Sequence, residues 1–285
     1  FDGAGTLGPM FGTLEIGKGA LRPTIETRPV PFESARTYFN YDPSQNALHF
    51  DEVGVRSAEI NAVATGTAYL NYAPVHPIPD EIWGQFQFTD LSMNPEVIFD
   101  TPKAFDAASM DFKMRLDPFV VDIGQASFQI ADQTTTPPKL VLGGQIVAGD
   151  EGWQLGVEAK LGQISVSEAM DLWPEDIRPG TRRWFENNLQ LGLLQNARAA
   201  LRVDPNGQPR AILSAEFSDA KVRFLKSMPV IEAATGYMVF EGGRFALGVS
   251  EGVVRPALGG EIRVDGSTFV IPNLSVKNPP AEVSL

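Results

Sequence analysis

The sequence contains no cysteine, only two histidines, and few rings that carry a polar handle: 5 Tyr and 4 Trp against 18 Phe. Without cysteine there is no disulfide, no thiolate nucleophile and no thiolate-bound metal, and the redox compartment is left open. Two histidines are a thin supply for acid–base or zinc chemistry, and neither His49 nor His76 has ligand-type neighbours at a suitable spacing. Positive charge is also scarce. A formal charge of −12 and a sequence pI near 4.7 exclude a phosphate backbone as partner, and with it attachment to anionic membranes by charge alone. No run approaches the roughly 18 apolar residues that read as a membrane-spanning helix.

What remains is the composition of a folded protein, 43% hydrophobic and 20% charged over 285 residues. The dominant pattern is short alternating apolar runs broken by clusters of Gly, Pro, Asp and Asn. Arg36–Tyr41 and Ala47–Val53 flank Asp42-Pro43-Ser44-Gln45-Asn46; Ala199–Val203 and Arg210–Phe217 flank Asp204-Pro205-Asn206-Gly207. Val147 and Trp153–Val157 flank Gly149–Gly152, Val239-Phe240 and Phe245–Val249 flank Glu241-Gly242-Gly243, and Ile262–Val264 and Phe269–Ile271 flank Asp265-Gly266. Each is a hairpin signature, and their even spacing predicts an all-β chain, an antiparallel meander. One stretch breaks the rhythm. Ser167–Trp173 reads as a short helix capped by Ser167 and stopped by Pro174, and Pro179 suits the first turn of a second helix through Asn188, with Phe185 and Leu189 on one face. The predicted organisation is a first β segment over 1–166, a helical insert over 167–190 and a second β segment over 191–285. The two β segments echo each other weakly: Phe88-Thr89-Asp90 with Phe217-Ser218-Asp219, Phe112 with Phe240, and Phe119/Val121/Ile123 with Phe245/Leu247/Val249, at nearly constant spacing. The chain opens at Phe1 with neither methionine nor signal peptide, and is expected to be a segment of a longer protein whose anchor lies outside it.

Several motifs imitate chemistry. Gly3-Ala4-Gly5-Thr6-Leu7-Gly8 spells a dinucleotide fingerprint, but no strand precedes it and Pro9 follows. Gly248-Val249-Ser250-Glu251-Gly252 spells a nucleophile elbow, yet no histidine follows Ser250 to serve as base. Asp80-Glu81 and Glu175-Asp176 read as solvated turn charges, and His49 as a residue of the polar side of a sheet. No catalytic residue, metal site or cofactor is assigned, and no enzyme activity is expected.

Leu172-Trp173-Pro174, Arg182-Arg183-Trp184-Phe185, Asn188-Leu189 and Gly192 occur in an order that resembles the AsmA-like family of bacterial envelope proteins, in particular its large subgroup with the AsmA-like region of unknown role. The likeness continues through Phe217-Ser218-Asp219, Lys221-Val222-Arg223-Phe224, Met228-Pro229 and Gly236–Phe240, and is most specific from about Leu172 to Ile271. It implies a long twisted antiparallel sheet curled into an open groove, similar to bridge-type lipid-transfer proteins. It further implies a periplasmic location, an inner-membrane tether outside this segment, and movement of phospholipid towards the outer membrane.

Same-face alternation supplies the lining expected of such a groove. In the first half it comprises Phe86, Phe88, Phe112, Met114, Phe119, Val121 and Ile123; in the second, Phe217, Val222, Phe224, Met238, Phe240, Phe245, Leu247 and Val249, with a bulge between Phe217 and Val222. Trp173 and Trp184 are expected to pack the insert against the sheet. The same alternation also suits a closed core, which would make the chain a scaffold module that binds protein. A carbohydrate-active enzyme would need clustered carboxylates and aromatic platforms, and an outer-membrane barrel would need Trp/Tyr girdles; neither pattern is evident.

Overall fold

The computed structural model describes residues 8–73, 78–94, 99, 101–130, 138–173, 175, 179–223, 229–256, 258–276 and 279–284. The alternating runs become strands: β1 (Met10–Ile16), β2 (Gly19–Leu21), β3 (Val30–Phe32), β4 (Ser34–Asp42), β5 (Ala47–Arg56), β6 (Ile60–Asn71), β7 (Glu81–Met93), β8 (Lys103–Leu116), β9 (Phe119–Ile130), β10 (Lys139–Gly149) and β11 (Gly152–Ser165). Two helices follow, α1 (Val166–Asp171) and α2 (Pro179–Asn188), and then β12 (Leu189–Val203), β13 (Arg210–Val222), β14 (Ile231–Glu241), β15 (Arg244–Val254), β16 (Ile262–Arg263), β17 (Thr268–Ile271) and β18 (Glu282–Ser284). Among the described residues the chain is all-β with a short helical segment. One antiparallel sheet of 16 strands follows chain order almost throughout and does not close into a barrel; β2 and β3 form a separate two-stranded sheet.

Three local expectations are corrected. The cap of α1 is Ser165 rather than Ser167: its hydroxyl accepts from the Glu168 amide while the Glu168 carboxylate accepts from the Ser165 amide. That reciprocal pair satisfies two otherwise orphaned donors, which Ser167 has no partner to do. Leu189 opens β12 instead of ending α2, although it packs in the same cluster as Phe185. Asp265-Gly266 does not turn a hairpin, because β16 and β17 both pair with β15. Between them the Val264 and Gly266 amides donate to the Gly252 and Val249 carbonyls, and the Val249 amide donates to Ser267, so the chain bulges along one edge instead of reversing. Pro174 lies outside the described residues.

The chain forms two compact units, Phe1–Glu158 with Arg202–Pro209, and Ala159–Leu201 with Arg210–Leu285. The division runs through β11 and β12, so both helices belong to the second unit. In that unit a single apolar core gathers Phe217, Val222, Ile231, Met238, Phe245, Leu247, Val249 and Phe269 with Phe185 of α2. In the first unit the fully buried cluster is small, Leu91, Ala108, Ala126 and Phe128, with half-buried neighbours around it. The weak internal echo has a structural counterpart. Thr89 bulges from β7 where it pairs with β6, and the matching Ser218-Asp219 bulges from β13 where it pairs with β14.

Candidate functional site

Strand register decides which side chains share a face. In the first unit one cross-strand row runs Gly12, Phe39, Phe50, Gly66, Phe86, Met110, Ala126, Leu142 across eight strands. A second row runs Tyr41, Leu48, Ala68, Gly84, Phe112, Ile123, Gly144, and a third runs Leu70, Ile82, Met114, Val121, Ile146. Apart from the Tyr41 hydroxyl, no polar side chain interrupts these rows. The row beside them on the opposite face reads Phe11, Asn40, His49, Thr67, Gln85, Asp111, Gln125. Phe86, Phe88, Phe112, Met114, Phe119, Val121 and Ile123 all stand on the apolar face, and all are half-buried. Sequence reasoning missed Phe39 and Phe50 on the same face, although Phe39/Tyr41 and Leu48/Phe50 alternate visibly in the first hairpin.

The rings on this face lie over glycines of neighbouring strands. A β-carbon added to Gly12 would come within 2.5 Å of the Phe39 ring, one on Gly66 within 2.7 Å of the Phe86 ring, and one on Gly84 would collide with Phe112. The missing side chains let the rings lie down on the backbone and shield it. Phe39, Phe50, Phe86 and Phe112 thereby meet in sequence, with centroid separations of 6.3, 5.5 and 5.8 Å. The result is an aromatic strip running across the strands.

The face is also curled, and a strap proves it. Residues 17–33, including the β2–β3 ribbon, leave the sheet after β1 and rejoin it at β4, where the Glu33 amide donates to the Arg56 carbonyl. The tip of this excursion reaches the β10–β11 turn: the Trp153 indole N–H donates to the Arg28 carbonyl at 2.7 Å, and the Thr24 hydroxyl approaches the Gly149 carbonyl at 3.5 Å. Five residues from Arg28 to Glu33 span at most about 18 Å. In a flat sheet β4 and β11 would lie seven strand intervals apart, about 34 Å. Even with the length of the indole added, the strap closes that distance only if the sheet bends round. Trp153 stands edge-on to Phe119 at 6.1 Å, on the apolar side, so the strap crosses the concave apolar face.

The second unit treats the same pattern differently. Phe217, Val222, Met238, Phe240, Phe245, Leu247 and Val249 again share one face, and register shifts between Phe217 and Val222 mark the bulge. Here, however, α2 lies on the face. Phe185 meets Phe245 edge-on at 5.8 Å and Trp184 stacks on Phe269 at 5.7 Å. Phe217 is 5% exposed and Val222 1% exposed. Phe240, at the strand end, stays half-buried. A cavity of about 10 Å³ between α2 and the sheet has room for about one water, far below what an acyl chain requires. In this unit the candidate lining is protein core. Phe224 lies outside the described residues.

Several polar groups singled out in the sequence have structural partners. The His49 ring nitrogen meets the Thr67 hydroxyl at 3.1 Å on the polar face, and Ser250 sits exposed within β15, where no elbow forms. Glu81 binds Lys113 at 2.7 Å and accepts from the Trp83 indole. The Lys113 hydrogen bond, with lesser help from Trp83 and against some desolvation, holds the Glu81 carboxyl below the usual range. Asp42 is lowered by hydrogen bonds from the Ser44 hydroxyl and amide that stiffen the β4–β5 turn. Among the described residues, no three His, Asp or Glu side chains gather as a metal site would require, and no helix is long and apolar enough to cross a membrane. His76, Asp176 and residues 3–7 lie outside the described residues. Comparison with known protein families, with curated proteins and with solved structures finds no match to this chain.

Proposed function

We propose that the first unit holds the acyl chains of phospholipid, as a periplasmic segment of a lipid-transfer protein working between the inner and outer membranes. The observation that carries this reading is the curled, half-buried apolar face of eight strands, whose three central rows carry no polar group but the Tyr41 hydroxyl. An apolar surface of that extent on a soluble protein ordinarily marks a binding surface. Each methylene removed from water contributes about 0.8 kcal/mol, so exposing a chain of about sixteen carbons costs on the order of 12 kcal/mol. A continuous floor of Phe, Met, Leu and Val offsets most of that cost and demands no particular headgroup. The cellular location and the direction of travel rest on the resemblance in residues 172–271 to AsmA-like proteins.

The alternative is a scaffold module with a closed core that binds protein. The second unit favours that reading for itself, since α2 fills the place a tail would take. The first unit has no such helix on its apolar face among the described residues.

Photo-crosslinking separates the two readings. With a photoreactive residue at Phe86, the purified protein should capture co-purifying phospholipid, identified by mass spectrometry, whereas the same residue at Gln85 should not. Equal labelling at both positions, or none at Phe86, would overturn the proposal.

A further inference from the structure

The strap poses a question that the apolar face alone does not. Residues 17–33 cross the concave side and meet the ladder again at Glu33, while among the described residues β2 and β3 pair only with each other. The ribbon is three residues per strand, and a lone two-stranded ribbon is marginally stable in water. Leu21, Ile25 and Val30 on it are exposed. Its tip is nevertheless well made. The Thr27 hydroxyl donates to the Thr24 carbonyl at 2.8 Å and accepts from the Thr24 amide at 3.3 Å, and Thr27 is 1% exposed. A stiff tip on a ribbon that forms no strand pair with the main sheet among the described residues, with the Trp153 indole and the Thr24 hydroxyl among its fastenings, has the construction of a clasp. Such a segment opens at low free-energy cost while the sheet beneath stays folded.

We infer that the strap is a clasp over the lipid-holding face, and that release of its tip from the β10–β11 turn limits how fast a phospholipid tail enters or leaves the first unit. The inference rests on the lipid reading above and adds its regulation. With the clasp shut, the β1–β4 side and the β10–β11 side are joined over the apolar face, and cargo passes only lengthwise beneath the strap. With the tip released, the face is open from above. Trp153 positions the strap: its ring packs on Phe119 while its N–H holds Arg28.

The absence of cysteine makes the test selective. Ile25→Cys and Asp150→Cys place two thiols on the strap tip and on the turn it meets, at exposed positions outside the apolar face. A bifunctional maleimide with a reducible spacer then locks the tip down. The readout is transfer of a fluorescent phosphatidylcholine from the full chain to phosphatidylcholine vesicles. Locking should slow transfer about tenfold and reduction should restore it. If the double variant fails to fold, Trp153→Phe decides: it keeps an aromatic ring beside Phe119, removes the donor, and should accelerate transfer about fivefold. Bound lipid with unchanged rates would overturn the clasp and leave the lipid reading standing. No bound lipid in the unmodified chain would overturn both.

Discussion

At Gly66 an added β-carbon would meet the Phe86 ring at 2.7 Å and lie closer still to the Gln85 carbonyl, which belongs to the backbone of the neighbouring strand. The ring has some freedom to move; the carbonyl has little, because it belongs to the β6–β7 ladder. Replacement by a β-branched residue therefore forces the strands apart at the centre of the aromatic strip. Gly66→Val should lower stability by about 1–3 kcal/mol, read as a shift of the urea midpoint with little change in slope. Gly156 offers a control within the same unit, since nothing lies within 4 Å of a β-carbon there and Gly156→Ala should be tolerated. Nothing in the sequence singles these glycines out. Their partners, Phe39, Phe86 and Phe112, stand on adjacent strands and are revealed only by register.

At the scale of elements, the strands were legible and their coverings were not. Alternation places Phe86, Phe88, Phe112 and Phe119 on one face without any structure, because a strand has a fixed period of two. Whether that face is open depends on what comes to lie over it. Trp173 and Trp184 were expected to pack the insert against the sheet; the structure puts Trp184 on Phe269 and Trp173 on Phe185, which itself meets Phe245, and together they seal a face that alternation alone could not distinguish from the open one. The strap was illegible for a related reason, since Arg28 and Trp153 are 125 positions apart and the hairpin pattern that contains Trp153 says nothing of Arg28. The covering role of α2 has a direct consequence. Phe185→Ala leaves a cavity against Phe245 and Trp173 and should cost about 3–5 kcal/mol, measurable by urea or thermal unfolding of the whole chain.

At the scale of the whole molecule, the ion pairs among the described residues lie outside the three apolar rows of the first unit. The ion pairs Arg36–Glu52, Lys113–Glu81 and Arg255–Glu232 lie on partly exposed side chains, where each is worth little and is readily screened. If the proposed cargo is held by apolar contact alone, salt has nothing to screen at the site. Capture of lipid by a photoreactive residue at Phe86 should therefore stay level as ionic strength rises well past the physiological range, whereas a headgroup-driven interaction would weaken steeply.

The strip of Phe39, Phe50, Phe86 and Phe112 has a kinetic corollary. Four rings of one kind, evenly stepped and bare of donors, present a nearly level energy landscape along their length. On the proposed reading, a hydrocarbon lying on it would move from ring to ring by trading dispersion contacts, with no hydrogen bond to break. If the lipid reading holds, such a surface would discriminate poorly between saturated and unsaturated tails.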